Sequence, residues 1–326
     1  MTDQSNTPVP PHNGPSLIER AAGSFDFRAF MAPAPAASVA AAPAVAAPVV
    51  AGPVAEQPAV VAPAPVAEPA PRAPEPVVRT FTGAVHPIDR HHLRDQCLIE
   101  PEGAVTGLLE EFRIVKRHLL LTAAESRAGR GAAHGERILV CSAHPGEGKT
   151  FCAVNLALSI AAEKDNEVLL VDADFAKPSV LSTLGLPGGP GLMDALADPS
   201  IKVEDCILGT DIPGLFVLPA GNSTGSDTEH LAAARTAAVL DRLTAQAPNR
   251  IVIFDSPPVL AASPASELAA HVGQAVMVVR AERTGEAALR DAVSILSGCD
   301  DIKLLLNCTR FSPTGRRFGS YYGYQE

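Results

Sequence analysis

In RILVCSAHPGEGKTFCAVNLALSIAA, residues 137–162, a short apolar run enters a glycine-rich turn and leaves it as an apolar helical pattern. The opening run is apolar at successive positions, so both faces of the strand it predicts must be covered. The same signature recurs in EVLLVDAD, GLFVLPAG, RIVIFDSPP, GQAVMVVRAE and IKLLLN, and helical patterns near 229–246, 264–271 and 285–297 separate the later runs. EEFRIVKRHLLL, from Glu110 to Leu121, reads as a helix ahead of the series. Two-faced apolar strands alternating with helices predict an α/β fold, a mostly parallel, doubly wound sheet with helices on both sides.

The turn AHPGEGKT, Ala143 to Thr150, lies between strand and helix, which is the context a phosphate-binding P-loop requires. Gly146 and Gly148 let backbone N–H groups approach phosphate oxygens, and the helix N-terminus adds a favourable dipole. Lys149 is placed to reach the β- and γ-phosphates, and the Thr150 hydroxyl to ligate Mg²⁺. Ala143 stands where the GxxxxGK[ST] pattern has its first glycine. Pro145, Gly146, Glu147, Gly148, Lys149, Thr150 and Phe151 are the expected nucleotide contacts. Asn307, ending the last strand, is the candidate on the adenine side. Asp172 and Asp174 close VLLVDAD, and Asp255 closes IVIFD. Open parallel sheets bind ligands at the C-terminal ends of their strands. Asp255 is therefore expected to hold Mg²⁺ with Thr150. Asp172 is expected to orient or deprotonate a nucleophile and to share the metal, and Asp174, also a catalytic candidate with Lys149, is a further candidate for metal duty. Together these features predict a P-loop NTPase using a nucleoside triphosphate and Mg²⁺.

The rest of the chain is not uniform. Sixteen of the 30 prolines precede residue 78, and the first lysine is Lys116. Residues 31–79 are almost entirely Ala, Pro and Val, and predict a disordered, partly polyproline-like linker, because small side chains offset too little chain entropy. Prolines interrupt every candidate membrane span in it, and the polar stretch MTDQSNTPVPPHNGPS is not expected to act as a signal peptide. Residues 1–30 contain SLIERAAGSFDFR, an amphipathic stretch in which Ser16 and Glu19 have capping-box spacing. The expected organisation is a segment 1–30, the linker 31–79, a P-loop domain 80–307 and a flexible tail 308–326. Six cysteines without a CxxC pair suit reduced, mostly buried thiols rather than a disulfide framework or zinc site. A net charge of −10 argues against nucleic-acid binding.

AHPGEGKT, VLLVDADFAKP and IVIFDSPPVL, joined by PGLMDAL and LFVLPAG and followed by a terminal GSYYGYQE, resemble the bacterial tyrosine autokinases of exopolysaccharide and capsule loci. The resemblance covers roughly Ile88 to Glu326, plus the SLIE-like start that points to the subgroup beside exosortase-type loci. It implies a fold related to the Min/Par ATPases, with Asp255 as the Walker B carboxylate, and ATP as the nucleotide. It also implies a helix with ExxRxxR spacing used between subunits, matched here by Glu110, Arg113 and Lys116. Two departures stand out. Ala176 occupies a position where the family often has arginine, and Lys177 follows it; lysine supplies charge but no bidentate fork. His144 replaces the signature lysine of Min/Par ATPases.

All three tyrosines, Tyr321, Tyr322 and Tyr324, lie within the last six residues. The resemblance implies that they are phosphoacceptors, modified in trans within a ring-like homo-oligomer that dissociates on phosphorylation. It further implies a cytoplasmic protein held at the inner membrane by a polysaccharide co-polymerase, or chain-length determinant, and reset by a tyrosine phosphatase. The competing functions are a Min/Par-type positioning ATPase, an iron–sulfur carrier ATPase, against which the missing CxxC counts, and a non-catalytic ATP-binding regulator.

Overall fold

In the computed structural model the described residues are 81–309, except 82 and 246. The terminal segment, the proline-rich linker and the tyrosines lie outside them.

The described residues form an eight-stranded sheet in the order β1-β4-β5-β3-β6-β2-β7-β8. The strands are β1 (Val85–His86), β2 (Arg137–Ser142), β3 (Glu167–Asp172), β4 (Leu208–Thr210), β5 (Leu215–Leu218), β6 (Arg250–Asp255), β7 (Gln274–Arg280) and β8 (Ile302–Asn307). Every pairing is parallel except that of β4 with β5. All six expected strands are present. Short β1 and β4 were not anticipated: two or three residues with a glycine carry no periodic signal.

Alternation along the central strands feeds two cores. Leu139, Cys141, Leu169, Val252 and Phe254 face one, and Ile138, Val140, Val168, Ile251 and Ile253 the other. The second core is closed by two stacked helices. Helix α3 (Lys149–Ala161) is buried continuously from Cys152 to Ala161. Helix α2 (Gly107–Arg127) lies outside it, with Leu109, Phe112, Leu119 and Ala123 buried. It is longer than the expected 110–121 because the Thr106 hydroxyl accepts the Leu109 N–H at 3.2 Å and caps it three residues earlier.

The remaining helices are α1 (Arg90–Asp95), α4 (Val180–Leu184), α5 (Leu192–Ala197), α6 (Asp227–Ala232), α7 (Arg235–Thr244), α8 (Pro264–Ala269) and α9 (Glu286–Ile295). The helix expected near 229–246 is thus two. The break at extended Ala233 accompanies a bond from Arg235 Nη2 to Ala195 O, at 2.8 Å, at the end of α5. All six cysteines are free. Cys141, Cys152, Cys206 and Cys299 are buried, and burial pushes the Cys152 thiol up to about 12. Among the described residues no helix is long and apolar enough to cross a membrane.

Candidate active site

Strand order brings the chemistry together. β2 lies between β6 and β7, and β3 lies on the far side of β6. The C-terminal ends of β2, β6 and β3 are therefore neighbours, and register sets Asp172 beside Asp255. The P-loop leaves β2 at this rim. Gly146 (φ 76°) and Gly148 (φ 95°) adopt the left-handed conformation that glycine accepts without strain. At Gly148 a side chain is also excluded by space, since a Cβ there would stand 2.2 Å from Asn307 Nδ2. Asn307 Nδ2 donates to Glu147 O at 2.9 Å. The residue expected on the adenine side thus supports the loop.

Thr150 Oγ1 donates to Asp255 Oδ2 at 2.7 Å and lies 3.3 Å from Ser179 Oγ. Asp255 is fully buried, and its Oδ1 has no hydrogen-bond partner. Burial pushes its carboxyl up to about 7, partly offset by Lys149 and the Thr150 bond. A buried, unpartnered carboxylate oxygen beside a hydroxyl is a donor set suited to a hard cation, and Mg²⁺ fits it. No group of three or more His, Cys, Asp or Glu residues that could hold a metal occurs among the described residues. Mg²⁺ takes one or two carboxylates and completes its shell with water and phosphate oxygens.

The other two aspartates have different surroundings. Asp172 is also buried, yet both its oxygens are engaged. Oδ2 accepts the N–H groups of Ser179 and Val180, each at 2.9 Å, and Oδ1 accepts that of Asp174 at 3.2 Å. Burial raises its pKa, and those three N–H bonds offset the rise. Expected to orient a nucleophile, Asp172 holds the start of α4. Asp174 Oδ2 pairs with Lys149 Nζ at 3.1 Å, and its Oδ1 accepts the Lys177 N–H at 3.2 Å. Lys149 therefore has a carboxylate partner within the protein.

Glu110, Arg113 and Lys116 do not share one outward face. Glu110 and Arg113 pair with each other. Lys116 turns inward at 8% exposure, donating to Ser159 O at 2.8 Å and pairing with Glu163 at 2.6 Å. Its ammonium thus serves the carbonyl end of α3, where a cation is favoured.

No family model matches the chain. It is 32% identical over 184 residues to the tyrosine-protein kinase wzc of Salmonella typhi, an alignment covering 55% of this chain and 24% of that protein. It is 28% identical over 217 residues to the tyrosine-protein kinase YwqD of Bacillus subtilis, covering 66% and 85% respectively. Among solved structures, the BceF tyrosine kinase domain is 25% identical with a TM-score of 0.51, over 60% of this chain and 76% of that one. The chain is thus similar to bacterial tyrosine kinases. It spans about a quarter of the length of the longer relatives it matches, wzc among them. The similarity to tyrosine kinases and the mostly parallel sheet both agree with the sequence expectation.

Three supports of this site were not anticipated: Arg280 Nη1 donating to Gly146 O at 2.7 Å, Thr284 donating to Glu147, and Asn307 donating to Glu147 O. Each joins residues more than 130 apart in the chain, and no local pattern announces such a pair.

Proposed function

We propose that this chain is an ATP-dependent protein-tyrosine autokinase that phosphorylates Tyr321, Tyr322 and Tyr324 in trans between subunits. The observation that carries the reading is the buried Asp255, with one oxygen on Thr150 and the other unpartnered, beside a P-loop in a chain similar to bacterial tyrosine kinases. Thr150 and Asp255 would hold Mg²⁺, with Asp172 behind them. When bound, Mg²⁺ neutralises charge on the transferring phosphoryl group.

The chain's own residues do the rest. The P-loop backbone and the α3 N-terminus receive the phosphates. Lys149 exchanges its Asp174 partner for phosphate oxygen, which leaves Asp174 free. Asp174 then accepts the phenolic proton of an incoming tyrosine as the Oη–Pγ bond forms and the bond from Pγ to the bridging oxygen breaks, releasing ADP. Asp172 fixes the backbone of residue 174 through its N–H bond. The 19 residues after Asn307 reach up to ~60 Å when extended, at ~3.3 Å per residue, enough to enter a neighbouring subunit's site. Each phosphorylation adds ~1.5–2 negative charges, and repulsion among modified tails loosens a ring.

Glu110 and Arg113, paired on α2, are the remaining outward candidates for the subunit contact. The reading extends to control of exopolysaccharide or capsule polymerisation, with the protein cytoplasmic and held at the inner membrane by a co-polymerase. A tyrosine phosphatase resets the tails. The SLIE-like start and GSYYGY-like end support the exosortase-linked subgroup.

Incubation of the purified full chain with ATP and Mg²⁺, followed by phosphotyrosine mass spectrometry, tests this. Label is expected on the tail, absent from Lys149→Met and absent from a variant with all three tyrosines changed to Phe. Label persisting in the latter sinks the tail as substrate. Binding and hydrolysis of ATP with no label favours a positioning ATPase, and binding alone favours a non-catalytic regulator.

A further inference from the structure

The P-loop carries a buried carboxylate whose two oxygens are both bonded within the protein. Glu147 lies between the two loop glycines and is 3% exposed. A negative charge there opposes a triphosphate. Its task is visible in its bonds. Oε2 accepts the His144 N–H at 3.0 Å, closing the loop on itself, and Oε1 accepts the Thr284 hydroxyl. Thr284 Oγ1 in turn accepts the Arg280 N–H, at 2.9 Å, at the end of β7. Two bonds run alongside: Arg280 Nη1 to Gly146 O and Asn307 Nδ2 to Glu147 O. The loop is thus fastened to the β7–β8 side of the sheet rim.

Thr284 belongs to the turn 281–285, in which Glu282, Arg283 and Gly285 are exposed. Glu282 holds a left-handed backbone (φ 61°), an uncommon state for a residue with a side chain. The turn therefore combines an accessible outer surface, a strained residue and a single hydroxyl bonded to the phosphate loop.

We propose that Glu147 and Thr284 are positioning residues that hang the P-loop on the exposed 281–285 turn, so that whatever displaces the turn changes nucleotide affinity. The inference rests on the nucleotide reading above. With the His144 N–H held by Glu147, the loop is curved before any phosphate arrives, which reduces the ordering cost of binding. Charge repulsion from Glu147 is the cost of this control.

The test uses the full chain, with mant-ADP and Mg²⁺ as the probe, and two readouts: the dissociation constant and the hydrogen-exchange rate of the His144 amide without nucleotide. Thr284→Val removes the hydroxyl and is expected to weaken binding about tenfold, the equivalent of one net hydrogen bond. His144 exchange rises with it. Thr284→Ser keeps the hydroxyl and restores both. Glu147→Gln keeps an acceptor for His144 and a partner for Thr284 while removing the charge, so it weakens binding less than Glu147→Ala does. Glu147→Ala loosens the loop and weakens binding. Inserting two glycines between Arg283 and Thr284 is expected to reproduce the Thr284→Val result.

A Thr284→Val protein that matches the parent in affinity and His144 exchange overturns the proposal. So does a serine variant as weak as the valine one, which reports general damage. Should Thr284→Val fail to fold, the Glu147→Gln and Glu147→Ala pair decides: equal weakening in both overturns it. A parent protein that binds no mant-ADP overturns the nucleotide reading and this inference together, whereas a binding parent with unresponsive variants overturns the inference alone.

Discussion

Asp172 and Asp255 end adjacent strands in direct register, and both side chains are buried. Their sequence contexts, VLLVDAD and IVIFDSPP, look equivalent. Their surroundings are not. Asp172 accepts three backbone N–H groups, and Asp255 has one hydroxyl and one oxygen with no partner. Burying a carboxylate is costly unless something satisfies it. At Asp172 the protein supplies that partner itself, and the result is architecture. At Asp255 the partner is incomplete, which is the observation behind the proposed metal role.

The largest expected effect follows from that contrast. Asp255→Asn is expected to lower tail phosphorylation by about a hundredfold or more, since charge stabilisation by a bound metal contributes several kcal/mol to such reactions. Mg²⁺ should then no longer tighten nucleotide binding. Titration of mant-ADP with and without Mg²⁺ checks the second point separately from turnover. An Asp255→Asn protein that keeps its Mg²⁺ response would move the metal to another residue and remove the functional difference between the two aspartates.

The second prediction is a pH dependence, with the metal removed by a chelator. The Asp255 carboxyl, moved from 3.8 to about 7, binds its proton more tightly in the folded state than in the unfolded one. Stability therefore falls as pH rises from about 4 to about 7, by up to ~4 kcal/mol, at ~1.36 kcal/mol per pH unit. Below that window both states are protonated. Above it the full penalty of a buried, unmatched charge is present. Denaturant midpoints of parent and Asp255→Asn, measured across this range, should diverge with rising pH, the variant being the more stable at pH 8. Parallel curves would show that the carboxylate is already satisfied.

Asp172→Asn should act in the opposite sense. An amide has one acceptor oxygen, and its NH₂ meets a backbone donor, so at least one of the three N–H groups loses its partner. The expected cost is ~1–3 kcal/mol at pH 7, seen as a lower midpoint with unchanged slope. Exchange of the Ser179 and Val180 amides should rise with it, because those groups start α4.

Much of this site is legible in the chain. Glycines at 146 and 148, a lysine at the helix start and carboxylates at two strand ends are local patterns, and parallel-sheet topology brings them to one rim. What distinguishes Asp172 from Asp255 is not local. It depends on where the backbone of 179–180 passes, which no residue near 172 encodes. The Glu147–Thr284 and Asn307–Glu147 bonds are invisible for the same reason, since each partner is unremarkable alone. Lys116 is a different case, because a signal was present. Phe112, Lys116, Leu119 and Ala123 form one stripe at helical spacing, and the apolar members predict that the lysine between them faces inward. ExxRxxR spacing follows a different line along the helix, from Glu110 through Arg113. Strands β1 and β4 were missed because sheet edges this short leave no pattern.

The finest test asks whether the two carboxylates act on each other. Neighbouring like charges in low dielectric raise one another's proton affinity, and Asp172 is one cause of the raised Asp255 carboxyl. A second link is Ser179, whose N–H serves Asp172 while its hydroxyl lies 3.3 Å from Thr150 Oγ1, the donor to Asp255. A double-mutant cycle with Asp172→Asn and Asp255→Asn should therefore be non-additive, with a coupling of ~0.5–1 kcal/mol at pH 8. The coupling should fade below pH 5, where Asp255 is protonated. Repeating the cycle in a Ser179→Ala background separates the two routes. A coupling that survives the alanine and fades in acid is charge acting directly between strand ends. One that disappears with the alanine at every pH is geometry carried through α4, and Asp172 would then affect the metal site only by where it puts Ser179.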